Sequence, residues 1–274
     1  MSYSIFESSM VEMKWPDVEK AIEAGAIALL PTGVIEEHGP HMGLGVDIYL
    51  ASLLAGMVKK ELETENIRVL TAPTFYWGIN SVTGAFPGSF TVRSETMVNM
   101  LADILASLKR WGLDQVFVIN WHDDFLHCKV LAEAINKARN DCGARAYVLV
   151  SRPLSNRLGL TGNEDHIIVY DMPQDNAPRQ GSPDIHAGAG ETGIMAAYLR
   201  DEVDMELAKT LKAADLSLAD FKVWRRGWND ARRKTPLGYL GNPSGFDANE
   251  GENYMKVLCK AVSGSILNRI QTDM

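Results

Sequence analysis

Strand-like and helix-like segments alternate along the first 150 residues, and this alternation limits the possible folds more than any other feature of the sequence. Strand patterns occur at 26–31, 67–73, 115–120 and 144–150. Helix patterns occur at 15–25, 48–63, 94–112 and 125–141. Such alternation indicates a mainly parallel sheet with helices on both faces. We therefore predict an α/β fold.

The rest of the chain has fewer clear patterns. Residues 151–190 are polar and typical of loops, whereas 191–200 and 253–270 have helical patterns that we expect to pack on the same core. No linker rich in serine, proline or glycine divides the 274 residues. A chain of this length can form one large domain, and we predict a single domain over residues 1–274.

Charged side chains follow two of the predicted strands. The strand at 26–31 leads into Glu36, His38 and Asp47. The strand at 115–120 leads into His122, Asp123 and Asp124. Because parallel sheets bind their ligands beyond the carboxyl ends of the strands, we expect both clusters at the same edge of the sheet.

The side chains in these clusters are ligands that zinc, manganese and iron accept in proteins. In an extended segment Glu36 and His38 point to one side and Glu37 to the other, and His122 and Asp124 share the same spacing. With Asp47 as a bridge, five such groups suit a two-metal hydrolytic site, whose ions lie roughly 3.5 to 4 Å apart. Surface loops rich in acidic residues are the alternative interpretation.

Composition excludes several other functions. A net charge of −8 argues against nucleic-acid binding. The basic stretch 223–234 could receive an anion, but we favour its interpretation as a solvated helix face near a subunit or loop contact. We find no membrane span and no secretion signal, so we expect a cytoplasmic protein. The three cysteines are far apart, which favours neither a disulfide framework nor a thiolate zinc site.

Five sequence motifs resemble, in order, those of the creatininase family of amidohydrolases. They are GVIEEHGPHMGLGVD (33–47), FPGSF (86–90), INWHDDF (119–125), HAGAGETG (186–193) and GNPSGFDANEG (241–251). The resemblance covers about residues 10 to 270. It implies a three-layer α/β/α fold, a homohexamer, and a dinuclear centre containing zinc with manganese or iron.

The resemblance also implies a role for individual residues. Carried over by position, Glu36 and His122 would bind one metal ion, His38 and Asp124 the other, and Asp47 both. His186 would be the catalytic acid and base, a role that suits a group titrating near neutral pH. The family places Glu191 near or on the metals. The residues expected to shape the substrate pocket are Trp77, Trp121 and Asp123.

Several positions depart from the family pattern. Asp124 replaces a glutamate, which shortens its reach and could shift metal binding toward Glu191. Trp121 stands where the family usually has glycine, and Ile185 stands where creatininase itself has glutamate. Creatinine is therefore a poor candidate for the substrate. We expect His41 to support the metal ligands rather than to bind metal.

These observations predict a metal-dependent hydrolase of a small polar molecule. In the first hypothesis a metal-bound hydroxide hydrolyses a C–N bond of an amide or cyclic amide. The second enzymatic hypothesis is C–C ring-opening of a keto-inositol, a diketo cyclic polyol. A third, from a different class, is a metal-binding assembly protein without turnover.

Overall fold

A computed structural model of the chain describes residues 4–172 and 184–273, and a five-stranded sheet lies at its centre. The strands are β1 (Ile27–Thr32), β2 (Val69–Thr71), β3 (Val116–Asn120), β4 (Ala146–Ser151) and β5 (Ile167–Tyr170). Their order in the sheet is β2-β1-β3-β4-β5, and every neighbouring pair is parallel. The predicted parallel α/β sheet is confirmed.

Helices connect the strands and cover the sheet. They are α1 (Trp15–Glu23), α2 (Val46–Thr64), α3 (Ser94–Arg110), α4 (Phe125–Cys142), α5 (Arg152–Leu158), α6 (Ala189–Tyr198), α7 (Met205–Ala208), α8 (Leu218–Trp224), α9 (Trp228–Lys234) and α10 (Ala248–Asp273). Short 3₁₀ turns occupy Met10–Glu12, Arg200–Glu202 and Pro243–Gly245.

Two apolar cores, one on each face of the sheet, make the fold three-layered. Successive residues of a strand face opposite sides. In β1, Ile27 and Leu29 pack with side chains of α2, α6 and α10, whereas Ala28 and Leu30 pack with those of α3 and α4. All six residues of β1 are buried, which explains its continuous apolar sequence.

Between 151 and 190 the sequence prediction is incomplete. It assigned loops to this stretch, but the structure has α5 and β5 there. Helix α5 has seven residues and edge strand β5 has four, so neither is long enough for a periodic pattern to be recognised. Residues 173–183 of the stretch lie outside the described residues.

Hydrogen bonds join the carboxyl end of α10 to the starts of strands β3 and β4. One oxygen of Asp273 accepts hydrogen bonds from Gln115 (2.9 Å), Arg145 (2.7 Å) and the Tyr147 hydroxyl (2.7 Å). Burial alone raises the pKa of Asp273, but these donors hold it below its ordinary value. The contact ties the last helix of the chain to the central strands β3 and β4.

Asp47, the predicted bridging ligand, lies close to the end of β1 because the residue that follows the strand, Gly33, has no side chain. Gly33 follows β1 directly, and a Cβ there would lie 2.9 Å from the backbone carbonyl of Asp47. Only glycine lets the first turn of α2 approach the strand end this closely. Within 4–172 and 184–273, no helix is both long and apolar enough to cross a membrane.

Candidate metal centre

Four of the predicted metal ligands converge at the carboxyl ends of β1 and β3. Glu36 and His38 lie in the loop after β1, Asp47 in the first turn of α2, and His122 after β3. Their exposed fractions are only 2%, 0%, 2% and 7%. Buried carboxylates are costly unless they are paired or coordinate a cation, so this cluster needs a positive partner.

Asp47 lies between two imidazole rings and offers one oxygen to each. Its Oδ1 is 3.3 Å from Nε2 of His38, and its Oδ2 is 3.0 Å from Nδ1 of His122. Oε1 of Glu36 is also 3.0 Å from Nδ1 of His122. A carboxylate with its oxygens turned to two neighbouring groups of donors has the geometry that a bridging ligand requires.

Glu191, in the first turn of α6, completes the second group. Its Oε2 is 3.8 Å from Nε2 of His38 and accepts a 2.7 Å hydrogen bond from the Ala187 N–H. Potential ligand atoms within 4.8 Å of one another form three sets: Glu36, Asp47 and His122; His38, Asp47 and Glu191; and Glu36, His38 and His186. The first two sets share Asp47.

Asp124, predicted to bind the same metal ion as His38, instead makes hydrogen bonds outside the cluster. Its Oδ1 caps α4 by accepting from the backbone N–H groups of Leu126 and His127, and its Oδ2 accepts from the backbone and hydroxyl of Ser81. Among the described residues, it belongs to none of the three sets of ligand atoms. Aspartate is a preferred N-cap, and its short side chain turns back onto the helix that begins at the next residue.

Hydrogen bonds set which nitrogen each histidine presents. Nε2–H of His122 donates to the Ile79 carbonyl (3.1 Å), so Nδ1 is the nitrogen that faces Glu36 and Asp47. Nδ1–H of His38 donates to the Glu36 carbonyl (3.2 Å), which leaves Nε2 facing Asp47. Backbone carbonyls orient metal-binding histidines in this way.

The donor set fits divalent cations. Neither Nε2 of His38 nor Oδ2 of Asp47 hydrogen-bonds to any described residue, although both atoms are buried among possible partners. Buried polar atoms are rarely left unpaired, and both residues belong to the sets of potential ligands. Imidazole and carboxylate together suit zinc, manganese and iron.

Interactions within the cluster shift the pKa values of its own residues. Burial alone lowers the pKa of His122, but the Glu36 and Asp47 carboxylates raise it well above its ordinary value. Burial alone raises the pKa of Asp47, but His38 and His122 hold it below its ordinary value. The carboxylates therefore stay ionised and attract positive charge.

His186 lies beside the cluster and is oriented by Glu37. Its Nε2–H donates to the Glu37 backbone carbonyl (2.8 Å) and lies 3.4 Å from Oε1 of Glu37, while its Nδ1 is 3.9 Å from Oε1 of Glu36. Burial lowers the pKa of His186, but Glu36 and Glu37 raise it well above its ordinary value. We expected Glu37 to point away from the site. The segment is not a regular strand, so strict alternation does not apply to it.

Residues 79–83 also contact the cluster, although no sequence pattern indicated such a contact. The Thr83 hydroxyl donates to Oε2 of Glu36, and Ile79 accepts from His122. Neither residue is in a motif or carries charge. Their distance from Glu36 and His122 along the chain left no local signal that could have identified them.

The three predicted pocket residues differ in position. The indole N–H of half-buried Trp121 donates to Oε1 of Glu191 (3.3 Å), so this side chain borders the centre. Trp77 is exposed, and its ring meets that of Phe90 edge-on at 5.8 Å between centroids. Asp123 is exposed, and its backbone carbonyl accepts from Arg157 (2.6 Å).

His41 is buried behind the ligands. Its Nε2 hydrogen-bonds to the Thr192 hydroxyl at 2.9 Å. Burial, with a further contribution from His38, lowers its pKa to about 4. His41 is in none of the three sets of potential ligands found among the described residues.

Comparisons with known proteins agree with the sequence motifs. The family described as Creatininase: Creatinine amidohydrolase matches residues 11–266. A creatinine amidohydrolase of Pseudomonas putida is 25% identical over 284 residues, covering 97% of this chain and 97% of that protein. A mycofactocin precursor peptide peptidase of Mycolicibacterium smegmatis is 24% identical over 242 residues, covering 87% and 82%.

Solved structures show the same fold. The crystal structure of a creatinine amidohydrolase (creatininase) has a TM-score of 0.73 at 22% identity and covers 96% of this chain and 97% of that one. A structure described as Creatininase Mn has a TM-score of 0.72 at 21% identity, with 96% and 98% covered. A mutant creatininase of Zn-Zn type also has a TM-score of 0.72, at 22% identity, with 98% and 99% covered.

Proposed function

Since this chain belongs to the creatininase family of hydrolases, we propose that it is a dinuclear metal-dependent enzyme that hydrolyses a C–N bond in a small polar molecule. The observation that supports two cations is the position of Asp47, whose two oxygens face two separate groups of donors. Zinc and manganese in the structures of relatives support divalent ions. Iron is the third metal we propose to test.

Each cation would have three protein ligands in this proposal. Glu36, Asp47 and His122 would hold the first, and His38, Asp47 and Glu191 would hold the second. Bound there, the cations would generate a hydroxide nucleophile from water at neutral pH and polarise the substrate carbonyl. The buried carboxylates and the hydrogen-bonded imidazoles keep these six ligand positions ordered before the substrate arrives.

His186 would move the proton. Because its Nε2–H is held by the Glu37 carbonyl, its Nδ1 is the nitrogen on the side of Glu36 and His38. With the charge of Glu36 offset by a bound cation, Nδ1 would accept the proton of the attacking water and then donate it to the departing nitrogen. The Glu37 carboxylate beside Nε2 stabilises the imidazolium ion that forms between these two events.

Relatives favour an amide as the bond that is broken. One is named for hydrolysis of the cyclic amide creatinine and another for hydrolysis of a peptide, and both bonds are C–N. Ile185 is exposed next to His186, so an apolar side chain stands beside the proposed proton donor. We therefore propose an amide or cyclic amide other than creatinine.

Metal content tests the ligand assignment directly. We expect the purified chain, reconstituted with zinc, manganese or iron(II), to bind two ions, Glu191→Gln to bind one, and Asp124→Asn to bind two because asparagine also caps helices. Loss of an ion from Asp124→Asn, with both retained in Glu191→Gln, would reverse the assignment. Wild-type protein that binds no ion would refute the proposal.

Turnover is tested on a panel of cyclic amides, formamides, short peptides and inosose-type ketones. We expect metal-dependent hydrolysis of one of the three amide classes, and its loss in His186→Ala with the metal content unchanged. Turnover of the ketones alone would favour C–C ring-opening. Binding of two ions without turnover of any compound would favour the assembly protein.

We also propose the homohexamer that the family resemblance implies. Three exposed apolar side chains, Leu44, Trp77 and Phe90, lie on segments close to the proposed centre. For example, the backbone carbonyl of Leu44 accepts a hydrogen bond from the Glu36 N–H. Apolar surface of this kind is common at subunit contacts. Light scattering should then give six times the 30.2 kDa of one chain.

A further inference from the structure

His127 is a fully buried histidine next to the proposed centre, and the proposed function gives it no role. We infer that His127 is a positioning residue, which fixes the ring of His122 through hydrogen bonds to the main chain of Ile79. The inference rests on the proposed metal centre, because it concerns the first cation position, formed by Glu36, Asp47 and His122.

The main chain of Ile79 connects the two histidines. Its carbonyl accepts the Nε2–H of His122 at 3.1 Å, and its N–H donates to Nδ1 of His127 at 3.2 Å. Ile79 is only 4% exposed, so water does not compete for these bonds. A displacement of Ile79 would therefore remove the acceptor that keeps the proton of His122 on Nε2.

The other nitrogen of His127 is held as firmly. Its Nε2–H donates to Oδ1 of Asn120 at 3.2 Å, and the same oxygen accepts from the Thr32 hydroxyl at 3.1 Å. The amide nitrogen of Asn120 donates to the backbone carbonyl of His122 at 2.6 Å. The hydrogen bonds thus form a closed circuit from the ring of His122 through Ile79, His127 and Asn120 to the backbone of His122.

Close packing leaves little freedom for the His127 ring. A Cβ on Gly78 would lie 2.4 Å from its Nδ1 and Cε1, and the rings of His122 and His127 meet edge-on at 5.0 Å. Since both nitrogens of His127 are engaged, it has no lone pair left for a cation. It acts on the metal centre only through its neighbours.

Removal of the polar ring should weaken the first cation position. In His127→Leu the Ile79 N–H and one acceptor site of Asn120 lose their partner, so His127 no longer holds Ile79 in place. Loss of an outer hydrogen-bonding partner typically lowers metal affinity about 10- to 100-fold. The second position, which includes His38 and Glu191, does not use this circuit and should keep its affinity.

Chelator competition with zinc tests the inference. The first position is measured in a Glu191→Gln background, which should bind only that ion, and both are measured in the otherwise unchanged chain. We expect His127→Leu to weaken the first position about 10- to 100-fold. His127→Gln, with a planar group that both accepts and donates, should recover most of the loss.

Ile135→Ala is the control for general destabilisation, because Ile135 is buried in the same helix and makes none of these bonds. It should lower the unfolding temperature and leave zinc affinity unchanged. Wild-type zinc affinity in His127→Leu, or an equal loss in Ile135→Ala, would overturn the inference and leave the proposed function standing. Absence of zinc binding in the wild-type chain would overturn both.

Discussion

The contact between α6 and α10 offers a sharp test of how packing positions the proposed centre. A Cβ built on Gly251 of α10 would lie 2.3 Å from the carbonyl carbon of Gly193 and 2.4 Å from the nitrogen of Ile194, both in the backbone of α6. Ordinary carbon contacts are about 3.5–4.0 Å, so α6 must retreat by roughly 1 Å in Gly251→Ala. Backbone atoms cannot rotate away as a side chain would.

The cost follows from two opposing effects. Overpacking of a close contact costs about 1–3 kcal/mol, and the gain in helix propensity from glycine to alanine is about 1 kcal/mol. Because the obstacle is backbone, we expect the upper end of that cost and a net loss of about 2 kcal/mol in the free energy of unfolding. For Gly264, in the same helix, no atom of the described residues beyond its chain neighbours and the local helix backbone lies within 4 Å of the Cβ position. Gly264→Ala should therefore stabilise the chain by about 1 kcal/mol.

Urea unfolding of the two variants measures the difference, which should be about 3 kcal/mol. Helix α6 carries Glu191 two residues before Gly193, so Gly251→Ala should also weaken the second cation position, while Gly264→Ala should not. A Gly251→Ala protein as stable as Gly264→Ala would refute the argument from close packing. A destabilised Gly251→Ala with full zinc content would refute only its extension to the metal centre.

Two further outcomes are expected. Thr83→Val removes the hydroxyl that holds Oε2 of Glu36 and should weaken the first cation about 10-fold in chelator competition, whereas Thr83→Ser should not; equal affinities would exclude the role. Asp273→Asn should cost about 1–3 kcal/mol at pH 7 in urea unfolding. Because the pKa of Asp273 lies below its ordinary value, the unfolded chain binds the proton first on acidification, so this difference should begin to decrease as the pH falls below about 4. A difference at pH 3 as large as the difference at pH 7 would contradict it.

The sequence predicted the parts of the fold and site that depend on local pattern. Strands β1 and β3 are long apolar runs, and the charged residues after them fall at one edge because parallel strands end on the same side. This reasoning brought Glu36, His38 and His122 together without knowledge of any contact. It needed only the strand ends and the direction of the sheet.

The choice between Asp124 and Glu191 could not be made from the sequence. Both are acidic, and each lies in a motif that also contains a histidine predicted to be at the centre, His122 for Asp124 and His186 for Glu191. The difference lies in competition for hydrogen bonds, because Asp124 begins α4 and satisfies its backbone N–H groups, whereas Glu191 keeps Oε2 near His38. Such competition depends on which groups are close in space, and Ser81 is 43 residues from Asp124 along the chain.

Close contacts at glycines explain why the motifs include residues other than the proposed ligands and the proposed proton carrier. The first motif begins with Gly33 and ends with Asp47, and these two ends are in contact. The last two motifs, at 186–193 and 241–251, meet in the same way. A Cβ on Gly188 would lie 3.1 Å from Cα of Gly241, and one on Gly251 would lie 2.3 Å from the backbone of Gly193.

These glycines perform no chemistry, yet the proposed ligands depend on them. Gly33 lets α2 bring Asp47 to the end of β1, and the glycines on either side of Glu191 let α6 pack against the segment 241–251. Because close backbone approach tolerates no Cβ, a substitution there should displace ligands that are otherwise intact. A chain with every proposed ligand but with bulkier residues at these contacts should therefore bind metal poorly, and Gly33→Ala, with Asp47 unchanged, is the simplest such chain.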